Sequence, residues 1–328
     1  MITDEDLAYH TPADVAHDWA ETTYFHFFVP EARLMAWVYL VARPGVGAMV
    51  CDIQVMGDLS THPLDNWYTD IQQHLKLPPR FDRFELSNGL AFKAHSIRDY
   101  RLDYVGVHDT ELHVDVKGIM EPYDINDPSM DPLAVADPHA NADSTGFGRA
   151  YAAHFDMAVR VTGTLRVRGR DFAVDCVAQM DHSWGQRSER GMKPMAWINA
   201  HFDDGYVVHG IFSYDPLAAP DKRYLFRHGY ALEGGRVRGG VRSQLTGYHM
   251  NGNRFALGYE WSMTDVDGRE HTLYGSPAAM NVWAPYSCTY VPNVFIRWQS
   301  GDRVGWGNSQ ENNPLDTFVG GHLAQRGG

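Results

Sequence analysis

The chain has little of what membrane-spanning, secreted or nucleic-acid-binding proteins need. Its longest apolar run, Leu34 to Ala42, covers nine residues, well short of the ~20 that a spanning helix requires. The three cysteines, Cys51, Cys176 and Cys288, lie far apart. They make neither a disulfide framework nor a zinc knuckle and read as small buried hydrophobes in a reducing cell. Basic residues are outnumbered, 28 Lys and Arg against 41 Asp and Glu, for a formal charge of -13. A surface of that sign repels phosphate backbones and anionic lipid, which argues against nucleic acid and membrane surfaces as partners. Arg166, Arg168 and Arg170 cluster, but they alternate along a strand pattern and read as its solvated face. The opening Met1-Ile2-Thr3-Asp4-Glu5-Asp6 is acidic, the reverse of a signal peptide's order, so the expected setting is cytoplasmic.

Several catalytic signatures are also missing. There is no Gly-x-Ser-x-Gly elbow and no glycine-rich phosphate loop after a strand, so no nucleotide cofactor is expected. His201, His209, His228 and His271 are scattered without His-x-His or His-Glu-x-x-His spacing, and no metal is expected either. In the proline-rich stretch Glu121 to Gly148, Asp124, Asp127 and Asp131 lack the glycine and terminal Glu of a calcium loop. That stretch reads as a long irregular loop.

What the chain does have is β texture. With 328 residues, 44% of them hydrophobic and 12% aromatic, it can bury two cores, and two domains are expected, 1–188 and 189–328. Tyr24–Val29, Leu34–Ala42 and Ala48–Val55 read as a meander, with proline-containing turns between them. Phe81–Leu86, Ala91–Ile97, Tyr100–Val105 and Glu111–Met120 continue it, and Ser87-Asn88-Gly89 is a hairpin signal. Phe155–Val167 and Phe172–Met180 alternate in polarity, and shorter strands follow to Tyr274. The one clear helix candidate is Asp65–Leu75, fenced by Pro63 and Pro78-Pro79. Many short strands with few short helices indicate a mostly β protein of barrels or sandwiches.

Asp181-His182-Ser183-Trp184-Gly185 carries the chemistry. It ends an apolar strand and precedes the charged turn Gln186-Arg187-Ser188-Glu189-Arg190. On a strand, Asp181 and Ser183 share one face while His182 and Trp184 share the other. If the second face lines a lumen, an imidazole tunable near neutral pH meets an indole wall. His154-Phe155-Asp156 opens the neighbouring strand, and antiparallel pairing brings His154 and Asp156 toward the same rim. Trp197, Phe202, Tyr206, Trp283, Tyr286 and Trp306 supply further aromatic surface.

The segments Gly163-Thr164, Phe172-Ala173-Val174-Asp175 and Asp181–Gly185 resemble the carotenoid 1,2-hydratase (hydroxyneurosporene synthase) and AttH-like superfamily, whose signature is Asp-His-x-aromatic-Gly. Trp19-Ala20-Glu21-Thr22 through Arg43-Pro44-Gly45 is similar to the front half of its bacterial members. The resemblance implies two tandem lipocalin-like (calycin-type) antiparallel β-barrels and the hydration of isoprenoid double bonds. Related two-barrel proteins cyclise polyenes or promote cycloadditions. His182 and Trp184 match positions important in the hydratases. Tyr206, Asp203 and Tyr214-Asp215 are the candidates for the Tyr and Asp that follow there.

The expected function is therefore a cofactor-independent hydratase, dehydratase or cyclase acting on an isoprenoid, steroid or aromatic compound. Acid/base work falls to His182, Asp181 and Asp156. Trp184, His154, Trp197, Tyr206 and Trp283 are the substrate-binding candidates, and Trp184 and Trp197 would steady developing positive charge. A carrier of an apolar metabolite and a shape-driven pericyclic catalyst are the alternatives. Sequence leaves the oligomeric state open.

Overall fold

The computed structural model describes residues 1–60, 62–134, 148–189, 191–249 and 255–317. Arg190 of the charged turn and residues 135–147 of the long loop lie outside the described residues. The architecture is mostly β, in two units. The first is an eleven-stranded antiparallel sheet and the second a closed eight-stranded barrel.

The first sheet is built from β1 (Trp19–Val29), β2 (Leu34–Arg43), β3 (Ala48–Met56), β4 (Tyr68–Lys76), β5 (Arg83–Glu85), β6 (Leu90–Ser96), β7 (Asp99–Val105), β8 (Glu111–Gly118), β9 (Tyr123–Asp124), β10 (Ala153–Val167) and β11 (Arg170–Gln186). Its order is β4-β3-β2-β1-β11-β10-β8-β7-β6-β5, and β9 pairs with β10. The sheet curls without closing. The meander β1–β3 turns twice through Pro30-Glu31-Ala32 and Pro44-Gly45-Val46, each ended by a left-handed residue, Arg33 at φ 54° and Gly47 at φ 69°. These three strands are buried along nearly their whole length. One face lies inside the curl and the other is covered by the barrel, hence their continuous apolar runs.

The helix expected at Asp65–Leu75 is not there. Pro63–Asp65 makes one short 3-10 turn, and Tyr68–Lys76 continues as β4, paired to β3 at the sheet's edge. The unpaired rim of β3 offers a hydrogen-bond ladder that outweighs helix propensity in this exposed segment. The hairpin at Ser87-Asn88-Gly89 forms as expected, with Gly89 at φ 98°. Among the described residues no helix is long and apolar enough to cross a membrane.

The barrel runs through β12 (Met195–Phe202), β13 (Val207–Tyr214), β14 (Tyr224–Glu233), β15 (Arg236–His249), β16 (Ala256–Asp265), β17 (Glu270–Trp283), β18 (Thr289–Ser300) and β19 (Arg303–Pro314), and β19 closes onto β12. Eight strands enclose a space that side chains can fill. Ala196, Ile198, Phe202, Phe212, Trp261 and Trp298 fill it. Glu311 also points inward, where the hydroxyls of Tyr214, Tyr224 and Tyr259 donate to it and His249 Nε2 lies 2.8 Å away. Alternate residues, among them Met195, Trp197, Ile211, Trp283 and Phe295, face outward and merge with the core of the first sheet. The barrel's outer wall thus packs on the outer face of the first sheet. Strand β11 ends at Gln186 and β12 begins at Met195.

The seam that closes the barrel demands glycine. A Cβ on Gly307 would lie 1.9 Å from the carbonyl oxygen of Asn199, while one on Gly47 would meet open space. Gly307→Ala is therefore expected to cost about 1–3 kcal/mol through forced backbone separation. Gly47→Ala carries only the left-handed penalty of about 1 kcal/mol. Urea denaturation of the two variants checks the order; equal midpoints would contradict the tight seam.

Candidate active site

Strand register decides which side chains share a surface. In the β10–β11 pair, Asp156 is opposite Asp181 and His154 is opposite Ser183; in the β1–β11 pair, Tyr24 is opposite Asp181 and Thr22 opposite Ser183. Directly opposed residues point to the same face of a sheet. Thr22, Tyr24, His154, Asp156, Asp181 and Ser183 thus form one patch, facing the outer wall of the barrel. Between them lies a cavity of about 320 Å³, bordered from the first sheet by Thr22, Tyr24, Tyr39, His154, Asp181, Ser183 and Arg187 and from the barrel by Met195, Trp197, Trp283, Tyr286 and Gln310. Its size is at the lower end of the range for small-molecule sites.

The centre of the patch is a buried anion. Asp156 is fully enclosed. His154 Nε2 lies 2.9 Å from its Oδ2, Trp197 Nε1 donates to its Oδ1 at 2.9 Å, and His209 Nε2 lies 3.1 Å from Oδ2. Burial alone would raise the Asp156 pKa, but His209 and His154 outweigh it and hold the carboxyl well below its ordinary range. Burial likewise disfavours protonated His154, yet its pairing with Asp156 lifts the imidazole above its usual value. The remaining ring nitrogen of His154, Nδ1, is buried without a hydrogen-bond partner, and the residue borders the cavity.

Asp181 behaves in the opposite way. Burial pushes its pKa up to about 7, against the attraction of His154 and Arg187 and with the repulsion of Asp156. Two adjacent carboxyl groups are therefore split, one ionised and one able to carry a proton at neutral pH. Such divergence is how a site assigns acid and base roles. Around them the Tyr24 hydroxyl is buried without a well-formed hydrogen bond. Tyr24 packs edge-on to Trp197 at 5.8 Å and lies 5.7 Å from Trp283. Trp283 is pinned in turn by Asp52, whose Oδ2 accepts from Nε1 at 2.6 Å. Burial raises the Asp52 carboxyl to about 7 despite the bonds from Trp283 and Gln54.

Four of the sequence candidates, Asp181, His154, Trp197 and Trp283, border this cavity, and Asp156 stands directly behind His154 and Trp197. Three do not. The register turns His182 and Trp184 to the opposite face, so the inward side of the signature is that of Asp181 and Ser183. His182 is packed among Phe81, Phe155 and Trp184, at ring distances of 5.3–5.5 Å. Tyr206 lies in the barrel core, 2.9 Å from His271 Nδ1. A catalytic role for His182, and substrate contact by Trp184 or Tyr206, have no support from these positions. Asp131 of the long loop is buried 3.0 Å from His228 Nδ1. Arg187, Tyr24 and Tyr39 were missed; counting by twos from Asp181 reaches Arg187 and would have found it.

On the reverse face, His10 Nδ1 and His182 Nε2 lie 3.0 and 3.2 Å from the same Glu21 Oε1, the His10 backbone donates to Oε2, and His10 Nε2 is 3.2 Å from Asp6. Trp184 stacks on His10 at 3.6 Å. Burial alone would lower His10 and raise Glu21, but their hydrogen bonds reverse both shifts, so His10 is raised and Glu21 lowered. The donor atoms of His10, Glu21 and His182 lie within 4.8 Å of one another, close enough to surround a metal ion. The spacing of these residues along the chain gives no hint of that grouping. Their mutual hydrogen bonds serve as a clasp that fastens the N-terminal segment to β1 and β11.

No curated protein sequence matches the chain. Among solved structures, a protein assigned to AttH from Nitrosomonas europaea aligns with a TM-score of 0.53 and 12% identity, covering 89% of this chain and 91% of its own. Kievitone hydratase from Nectria haematococca aligns with a TM-score of 0.54 and 12% identity, covering 93% and 92%. At that identity the likeness is one of fold alone. A family model described as a domain of unknown function, DUF7064, matches residues 3–315, and the chain belongs to that family.

Proposed function

We propose that the protein is a cofactor-independent hydratase, working reversibly as a dehydratase, on a small apolar alkene of isoprenoid type, in a cytoplasmic setting. Residues 1–188 and 189–328 serve as its two domains, with the catalytic cavity between them. The observation that carries this reading is the pair of opposed carboxyl groups: Asp181 at the wall of an aromatic-lined cavity, its pKa raised by burial to about 7, and Asp156 behind that wall, held well below its ordinary range by His209 and His154. The hydratase among the solved structures of the same fold supports it.

Hydration of an alkene needs one strong acid, a dry surrounding and one water. In the proposed step the Asp181 carboxyl gives its proton to the less substituted alkene carbon, and the π electrons form the new C–H bond. The other carbon becomes a cation. Trp197, Trp283 and Tyr24 border that space, and an aromatic face steadies a cation by roughly 0.5–2 kcal/mol. A water held at His154 Nδ1 adds through its oxygen to the cation and forms the C–O bond. Its surplus proton passes to the Asp181 carboxylate, which restores the acid. Asp156 keeps its charge throughout and fixes His154 and Trp197 in place, so both are positioned before substrate arrives.

The test is incubation of the protein with a panel of trisubstituted prenyl alkenes in oxygen-labelled water, with mass spectrometry of the alcohols. One labelled oxygen per product is expected. Asp181→Asn should abolish turnover, and His154→Gln should lower it about 10²-fold by misplacing the water. Full activity in Asp181→Asn would remove the acid from this scheme.

The acid must be protonated, so the rate should be level below neutrality and fall about tenfold per pH unit above roughly pH 7. A rate that rises through pH 7 would contradict it. Stability gives a second readout of the same group. The folded state retains the Asp181 proton up to about pH 7, whereas the unfolded chain releases it near the ordinary value of 3.8. Folding thus loses stability as pH rises between those values. Thermal melts of Asp181→Asn should show a shallower decline across this window than the wild-type protein.

A further inference from the structure

At the end of the cavity away from Asp156, the hydrogen bonds around Arg187 contain a surplus of donors. The guanidinium is almost wholly buried. Among the described residues it has no carboxylate within ion-pair distance, although buried charges are ordinarily paired. Nη1 donates to Tyr286 Oη at 2.9 Å and to Tyr39 Oη at 3.3 Å; Nη2 donates to Ser183 Oγ at 2.9 Å and to the carbonyl of Ala150 at 3.2 Å. Three hydroxyl oxygens are thereby used as acceptors, and each must direct its own proton elsewhere.

Counting those protons leaves two over. Tyr39 and Tyr286 are 2.8 Å apart, so one hydroxyl donates to the other, and the second has no acceptor among the described residues. Ser183 and Thr22 are likewise 2.8 Å apart, and among the described residues one of that pair is left with an unused proton. Thr22, Tyr39, Ser183, Arg187 and Tyr286 all border the cavity. Two spare O–H donors backed by a buried positive charge form a receptor for a negatively charged oxygen. Water can satisfy the hydroxyls, but a buried guanidinium whose charge meets only the more distant Asp181 and the ring face of Tyr151 favours a charged guest.

We propose that this end of the cavity is an oxyanion subsite, and that the molecule bound here is an apolar chain carrying an acidic oxygen such as a carboxylate. The subsite rests on the reading of the cavity as the place where substrate binds. It adds the polarity of that substrate: its acidic end against Tyr39, Tyr286 and Ser183, its alkene toward Asp181 and Trp197. Asp181 in its protonated form is compatible with such a guest, whereas the ionised form would repel it.

The probe is decanoic acid, set against methyl decanoate of the same chain. Neither has an alkene, so binding is measured without turnover and without dependence on the hydration chemistry. Isothermal titration at about pH 6 should show the acid binding about tenfold or more tightly than the ester. Tyr286→Phe keeps the ring and removes one hydroxyl, and should cut that preference several-fold. Arg187→Met should erase it in protein that still melts cooperatively. Equal affinity for acid and ester in the wild-type protein would overturn the subsite. So would a Tyr286→Phe protein that keeps the full preference. If the preference is present while Asp181→Asn still turns over alkenes, the subsite stands and the hydration mechanism falls.

Discussion

The carboxylate of Asp156 is the constraint on which the rest of the site depends. An anion so deeply enclosed survives only because two imidazoles and an indole N–H converge on it. Those three partners come from both units: His154 from the first sheet, His209 and Trp197 from the barrel. One buried charge therefore fixes the lateral position of the barrel on the sheet. It also orients the indole and imidazole that border the cavity, and it raises the proton affinity of Asp181 beside it. Asp52 repeats the device at the other side, holding Trp283 across the same interface. Both indoles are set by first-sheet carboxylates rather than by their own strands.

The fold was largely legible in the sequence because its signals were local. Alternation in Phe155–Val167 and Phe172–Met180, the proline-bearing turns after Val29 and Arg43, and Asn88-Gly89 each act over a few residues. The misreading at Asp65–Leu75 came from a segment whose own pattern is weak and whose structure is dictated by a neighbouring strand edge. Strands β12, β15, β18 and β19 were harder to see. Polar residues such as Asn199, Asn308 and Glu311 are buried in them and make hydrogen bonds that no sequence window reveals.

The candidate site was half legible for a related reason. Alternation correctly separated Asp181 and Ser183 from His182 and Trp184, but it cannot say which side meets the cavity. That choice was made by the barrel docking on the sheet's outer face, a relation between residues far apart in the chain. The segment Asp181-His182-Ser183-Trp184-Gly185 then serves two faces at once. Its Asp enters the cavity, while its His and aromatic residue clasp the N-terminal segment through Glu21 and His10.

The filled interior of the barrel has a wider consequence. A lipocalin-type barrel ordinarily serves as a container, but this one has spent its hollow on Trp261, Trp298 and the tyrosine-bound Glu311. It works instead as one jaw of a vise. The barrel's share of the cavity lining then comes from the convex side of β12, β17 and β19, which a swap of core side chains would leave untouched. The cavity's lining can change along that outer wall while the barrel's own packing, and the stability it confers, stays as it is.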